Sequence, residues 1–215
     1  MKKTHPTRAE PQARPPKAKA TMLRVIGGDM RGRKVRYNGD RSTRPMRDSV
    51  RENLFNLIGM QIKDAVVFDP FGGTGILAIE SISRGARHAF VIEQNRRTLN
   101  QIRQNIDDLQ LQDRIKLTPG DAFRGLGRLM HESHQQDPDA WWVLYLCPPY
   151  EMFQSRLDDI NRMIQFVRSI HDRGTIVAES DNKFETEQLT GDHWDVRKYG
   201  LTQLAITDLD CVQPD

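Results

Sequence analysis

Ala65-Val66-Val67-Phe68-Asp69-Pro70-Phe71-Gly72-Gly73-Thr74-Gly75 is the stretch on which the reading of this chain turns. Four apolar residues in a row form a short buried strand, and an acid followed by glycines forms a tight turn at its carboxyl end. Ile76, Leu77, Ile79 and Ile82 then mark a helix that stops near Gly85. Strand, glycine turn and helix in that order make the opening unit of an open α/β sheet, where ligands collect beyond the carboxyl ends of the strands.

Working outward, the unit repeats. Ala89–Ile92 reads as a second strand closed by Glu93, and Leu99, Ile102, Ile106 and Leu109 mark a second helix. Ile115–Leu117 is a weaker third strand, followed by Gly120-Asp121 and a helix to about Met130. His131–Ala140 reads as a polar loop, Trp141–Leu146 as a fourth strand, and Thr175–Ala178 as a fifth after a helix carrying Ile160, Met163, Ile164 and Val167. Trp194–Tyr199 and Leu201–Thr207 meet around Gly200 as an antiparallel hairpin. Upstream, Met22–Ile26 and Lys34–Tyr37 form a hairpin across Gly27-Gly28-Asp29, and Asp48 is expected to cap a helix carrying Val50, Leu54, Leu57 and Ile58. The expected class is α/β: a seven-stranded Rossmann-like sheet with an antiparallel edge hairpin, preceded by a small basic β-hairpin and helix.

Length and charge bound the function. The chain has 215 residues, room for one full domain and an appendage. It contains no apolar stretch near the ~18 residues of a membrane span, and its basic N-terminus lacks the apolar core of a signal peptide. Cys147 and Cys211 show no spacing of a disulfide framework or zinc site. A soluble cytoplasmic protein without a metal is expected. Residues 1–51 hold 15 Lys and Arg against 4 Asp and Glu, whereas residues 52–215 hold 17 against 25. A polyanion-binding arm on an acidic body is the natural reading of that polarity. The expected boundaries are a disordered basic tail over 1–20, which has no large aliphatic residue beyond Met1 with which to offset ordering, then a basic nucleic-acid-binding extension over 21–60 and the sheet domain over 61–210.

Within the sheet domain, Gly73 and Gly75 are expected to let the backbone approach a ligand closely. Glu93, 18 positions past Gly75, is placed to accept bonds from ribose hydroxyls. Asp121, past the third strand, is placed to meet an adenine edge. Gly73-x-Gly75-x-x-Ala78 also fits the dinucleotide fingerprint of a nicotinamide-dependent oxidoreductase. Asp69, directly before the glycines, opposes that choice because it repels a phosphate and suits a cationic group such as an amino acid's ammonium. Asp69 and Glu93 together favour an adenosyl cofactor without phosphate. The plain alternative is a turn that merely packs strand on helix.

Cys147-Pro148-Pro149-Tyr150 ends the fourth strand. Two prolines fix the backbone and remove two N–H donors, leaving a carbonyl of Cys147 or Pro148 free as an acceptor. Tyr150 adds a ring on which an unstacked base can rest. A free carbonyl and a stacking ring suit recognition of an exocyclic amine. The bland reading is a strand breaker followed by a core tyrosine.

Both motifs in this order resemble the RsmD-type methyltransferases, S-adenosylmethionine-dependent enzymes that methylate N2 of a guanine in small-subunit (16S) ribosomal RNA. The likeness runs from Leu23 to about Thr207 and includes Arg24-Val25-Ile26-Gly27-Gly28, Arg31-Gly32-Arg33-Lys34, Thr43-Arg44-Pro45 and Val50-Arg51-Glu52-Asn53-Leu54-Phe55. The resemblance implies S-adenosylmethionine as cofactor, with Asp69, Gly73, Gly75, Glu93 and Asp121 on its positions; Phe71 and Ala122 are expected beside them, and Arg44, in Thr43-Arg44-Pro45, is expected to pair its carboxylate. It implies a target-amine site at Cys147, Pro148, Pro149 and Tyr150. It also implies a ribosomal RNA or small-subunit partner; Arg24, Arg31, Arg33, Lys34, Arg47 and Arg51, clustered ahead of the sheet domain, are expected to meet its phosphates, and the chain is expected to act as a monomer.

One position departs from the pattern. The family has Asp or Asn where this chain has Cys147, and a thiol is a weak acceptor. The Pro148 carbonyl suffices on one reading; on another the chain is a catalytically silent RNA-binding or ribosome-assembly factor; on a third Cys147 is a nucleophile. Adenine N6 is a further acceptor to weigh against guanine N2. His131 and His134 read as surface residues, and Trp141 and Trp142 as core or sheet-face residues.

Overall fold

The computed structural model describes residues 21–39, 43–191 and 193–209. The tail expected over 1–20 lies outside them, as does Cys211.

Seven strands form one sheet in the order β5-β4-β3-β6-β7-β9-β8. They are β3 (Val66–Asp69), β4 (His88–Glu93), β5 (Ile115–Pro119), β6 (Trp142–Leu146), β7 (Gly174–Asp181), β8 (Asp195–Tyr199) and β9 (Thr202–Asp208). The strands from β3 to β7 pair in parallel, and β9 and β8 close the edge antiparallel. The seven strands and the edge hairpin are those the sequence predicts.

Each face of the sheet is covered, so the central strands are apolar without alternation. Along β3 the side chains still point to opposite faces: Val67 joins the core under α1 (Asp48–Ile58), α2 (Ile76–Ser83) and α3 (Arg96–Asp108). Val66 and Phe68 join the core under α4 (Ala122–Gln136), the short α5 (Met152–Ser155) and α6 (Leu157–Ile170). After β3 the chain steps outward to β4 and β5, then returns to place β6 on the other side of β3. That reversal opens a crevice at the carboxyl ends of β3 and β6.

Among the described residues the N-terminal hairpin, β1 (Thr21–Arg24) with β2 (Lys34–Tyr37), pairs only with itself. Its anchors Val25 and Val35 are nonetheless fully buried in the same core as α1 and α2. Glu80 on α2 accepts the Ile26 N–H with both oxygens, at 3.0 and 3.2 Å, and stitches the hairpin to the sheet domain.

Four local expectations are corrected. Asp48 does not cap α1: Arg47 holds the cap position without a side-chain bond, and Asp48 pairs with Arg51 at 3.0 Å and Arg24 at 3.1 Å. The stretch after Met130 is helical to Gln136, because Leu126, Leu129, Met130 and Ser133 keep one buried face running. His134 belongs to that turn and is no free surface residue. Its ring stands edge-on to the fully buried Trp142, 6.3 Å between centroids, and its Nδ1 lies 3.4 Å from Nδ1 of His171, which stacks on the same tryptophan. Finally, β7 extends to Asp181, since β9 pairs along its whole polar end, Glu179 opposite Leu204 and Asp181 opposite Thr202.

Candidate active site

A cavity of about 690 Å³ fills the crevice, a volume in the range of small-molecule sites. The carboxyl end of β3 and the turn after β6 both line it, so Asp69 and the Pro148–Pro149 pair share one cleft.

Asp69 closes β3 and is buried to 1% exposure; the Phe71 N–H faces its carboxylate and pulls on its charge, but neither oxygen has a hydrogen-bond partner of good geometry. Burial, reinforced by the neighbouring Glu93 carboxylate, pushes its pKa up to about 7. A desolvated, unsatisfied carboxylate is expensive to keep unless something cationic meets it. The donor this site lacks is a positively charged one.

The glycines after Asp69 serve different needs. The Gly72 N–H donates to the Ile92 carbonyl at 2.9 Å, and a Cβ on Gly72 would stand 2.5 Å from Val91 Cγ1. Gly73, at φ +54°, lines the cavity and donates its N–H to Glu93 Oε2 at 2.9 Å. Gly75 departs from the expectation of close ligand approach. It does not line the cavity, and its missing Cβ makes room for Ile102 of α3, 3.0 Å away.

Glu93 also accepts the Asn95 N–H, at 2.6 Å to Oε1, so two backbone donors orient its carboxylate at the cavity wall. A carboxylate oxygen keeps a further lone pair after one such bond, which a hydroxyl can use. Asp121 lines the same wall and caps α4, accepting the Arg124 N–H at 3.1 Å. Beside it lie Ala122 and the edge-to-face pair Phe71–Phe123, 5.6 Å between centroids, an apolar slot fit for a flat ring.

On the other side of Asp69, the Pro149 carbonyl accepts the Met152 N–H at 2.8 Å, whereas no hydrogen bond to the Pro148 carbonyl occurs among the described residues. Tyr150 donates its hydroxyl to Glu179 Oε1 at 3.0 Å, with Thr202 Oγ1 also at 3.0 Å. Burial and the Glu179 charge push its pKa up to about 12. The Cys147 thiol is held well above its ordinary range by burial and by the Glu179 and Asp69 charges. A nucleophilic cysteine needs the opposite, an electropositive setting that favours thiolate.

Sequence reasoning missed Glu179, which lines the cavity from β7. It ends the apolar run Thr175–Ala178 as Asp69 ends β3 and Glu93 ends β4, so the rule that found those two acids applied here as well. Burial raises its pKa, against the opposing pull of the Tyr150 hydroxyl and the nearby Arg44 and Arg47.

The basic residues divide. Arg44 and Arg47 line the mouth of the cavity, and Arg47 donates to the Tyr199 carbonyl at 2.7 Å. Arg24, Arg31, Arg33 and Lys34 are exposed on and around the N-terminal hairpin, away from the cavity. Arg51 is a correction: it is fully buried, pairing Glu80 at 3.1 Å and donating to the Met46 and Arg24 carbonyls, and so has no surface to offer a phosphate. Among the described residues no group of three or more His, Cys, Asp or Glu side chains is arranged to hold a metal ion, and no helix is long and apolar enough to cross a membrane.

The family described as "Conserved hypothetical protein 95" matches residues 23–208. A Bacillus subtilis (strain 168) protein named "Putative rRNA methyltransferase YlbH" is 32% identical over 186 residues, 86% of this chain and 97% of its own length. "Ribosomal RNA small subunit methyltransferase D" of Escherichia coli (strain K12) is 41% identical over 88 residues, 41% of this chain and 44% of that protein. Among solved structures, an RNA methyltransferase from Salinibacter ruber in complex with S-adenosyl-L-homocysteine matches with a TM-score of 0.57 at 14% identity, covering 80% of this chain and 97% of that one. At that identity the likeness is one of fold.

Proposed function

The chain belongs to the Conserved hypothetical protein 95 family, and from that premise we propose that it transfers a methyl group from S-adenosylmethionine to N2 of a guanine in small-subunit (16S) ribosomal RNA. The observation that carries the proposal is the partnerless carboxylate of Asp69 in the same cavity as Cys147-Pro148-Pro149-Tyr150. The names of the two relatives supply the ribosomal RNA, and that of the second the small subunit.

The residues present fit the cofactor. Asp69 takes its ammonium group, which satisfies the orphaned oxygens; Glu93 takes ribose hydroxyls; Asp121, Ala122 and Phe71 border its adenine; and Arg44 at the mouth pairs its carboxylate. When bound, S-adenosylmethionine supplies a methyl carbon already activated on a sulfonium sulfur, so the protein's own work is orientation and exclusion of water. The Pro148 carbonyl accepts one amine hydrogen and aims the nitrogen lone pair, and Tyr150 backs the base, which must be unpaired or flipped to arrive there. Arg24, Arg31, Arg33, Lys34 and Arg47 contact phosphates and set the register of the RNA. We propose a monomer, at work in the cytoplasm where ribosomal RNA is met.

Cys147 supports a second reading, a silent RNA-binding or assembly factor, since it puts a weak acceptor where the resembling family has Asp or Asn. Incubation with tritium-labelled cofactor and small-subunit RNA or particles separates the two. Incorporation into RNA supports the enzyme; intact binding of cofactor and RNA with no incorporation supports the silent factor.

A further inference from the structure

The thiol at position 147 cannot do what a carboxylate or amide does there. It is neutral, and its sulfur already takes the Glu179 backbone N–H. The β6–β7 register puts Glu179 where that role can be filled. Leu146 stands opposite Ala178, so the next residues, Cys147 and Glu179, lie level at the carboxyl ends of two adjacent parallel strands. Both line the cavity, together with Pro148 and Tyr150.

Glu179 is also equipped for it. Oε1 accepts the Tyr150 hydroxyl at 3.0 Å, while Oε2 makes no hydrogen bond among the described residues. No Lys or Arg there lies within ion-pair distance of it. A partly buried carboxylate held by a single hydroxyl, without a salt bridge, is costly to the fold and leaves acceptor capacity facing the cavity. Asp69, the carboxylate across the cleft, sits beside the glycine turn and is committed to the cationic group.

We infer that Glu179 is a catalytic residue that replaces the missing acceptor at position 147: its Oε2 accepts a hydrogen bond from the target exocyclic amine and then the proton the amine must lose. This rests on the methyltransferase reading above. The amine nitrogen's lone pair forms the bond to the methyl carbon, and the carbon–sulfur bond breaks with its electron pair remaining on sulfur, which becomes a neutral thioether. The nitrogen, now cationic, passes one proton to Glu179 Oε2, and the neutral carboxyl returns it to water. Tyr150, bonded to Oε1, keeps the carboxylate turned toward the base.

Two measurements test this on the full chain. The first is equilibrium binding, with S-adenosylhomocysteine present, of a substrate RNA carrying guanosine or inosine at the modified position, since inosine lacks the amine. Wild type is expected to prefer guanosine about tenfold, in line with one charge-assisted bond. Glu179→Ala should cut the preference to about two- to threefold, the share left to the Pro148 carbonyl, whereas Tyr150→Phe, which removes the hydroxyl shared by Glu179 Oε1 and Thr202 Oγ1 but leaves the carboxylate, should fall between Glu179→Ala and wild type. The second is turnover of Glu179→Gln, which preserves shape and a bond to Tyr150. A fall of at least about 100-fold is expected, with the cofactor Kd and melting temperature near wild type. If Glu179→Ala retains the preference, or Glu179→Gln turns over within threefold of an active wild type, the inference fails and the methyltransferase reading stands. If Glu179→Ala does not fold, the Glu179→Gln turnover decides alone. A wild-type chain that transfers no methyl group overturns both.

Discussion

Arg51 Nε and Glu80 Oε2 meet at 3.1 Å with both side chains fully buried, and through them the basic extension is welded to the sheet domain. Glu80 also accepts the Ile26 N–H and Arg84, while Arg51 also takes the Arg24 and Met46 carbonyls. Arg51→Met removes the fully buried counter-charge of Glu80, leaving the partly exposed Arg84 at 3.1 Å, and should cost about 3 kcal/mol. Replacing both by apolar residues of similar volume should recover much of the loss. Urea unfolding of the single and double variants checks this; equal losses in both would mean that the pair itself, rather than the unpaired charge, sets the stability.

Asp69 makes cofactor affinity depend on pH. Its folded pKa, about 7 against an ordinary 3.8, means that the folded chain holds a proton the unfolded chain has released. Stability of the ligand-free protein therefore falls as pH rises from about 4 to 7. A cationic ligand favours the ionised form, so its affinity should rise with pH and level off above 7. Asp69→Asn should bind S-adenosylmethionine about 10–100-fold more weakly with a flatter profile, and resist heat better than wild type at pH 8 when ligand-free. Calorimetry at pH 6, 7 and 8 tests the first point and thermal melts the second.

Cys147 should be a poor nucleophile. In a Cys211→Ser background, iodoacetamide at pH 7.5 is expected to label it at least tenfold more slowly than a free thiol, because burial and two carboxylates keep the sulfur protonated. Cys147→Ser should turn over within a few-fold of wild type. Loss of activity in that variant, with both ligands still bound, would restore the covalent reading.

The exposed cations of the extension should act on affinity without reading sequence. Replacing Arg31, Arg33 and Lys34 by Ala is expected to weaken binding to all RNAs alike and to lower the slope of log affinity against log salt by about 0.7–0.9 for each phosphate no longer neutralised. Filter binding at several salt concentrations measures the slope; an unchanged slope would remove the hairpin from the RNA surface.

Much of this was legible in the residues, for identifiable reasons. Strong local signals such as Val66–Phe68 before the glycines, or Leu99, Ile102 and Ile106 at helical spacing, carry their own structure. What escaped depends on tertiary contact. The helix continues to Gln136 because Ser133 is buried, though its sequence is polar. Arg51 looks like its basic neighbours until Glu80, from a helix 29 positions on, is found against it. Gly75 has the spacing of a ligand glycine, but Ile102 fills the space its side chain would occupy. Glu179 closes an apolar run as Asp69 and Glu93 close theirs, but its place beside Cys147 comes from the β6–β7 register, which pairs strands about 30 residues apart.

The most direct test is chemical identity of the product. Small-subunit RNA incubated with the protein and S-adenosylmethionine, digested to nucleosides and analysed by mass spectrometry, should contain new N2-methylguanosine at about one per RNA molecule. N6-methyladenosine in its place would keep the cleft and refute the base. An unmodified digest, from protein that binds cofactor and RNA, would contradict the claim that Asp69 and the proline turn build one methyl-transfer site.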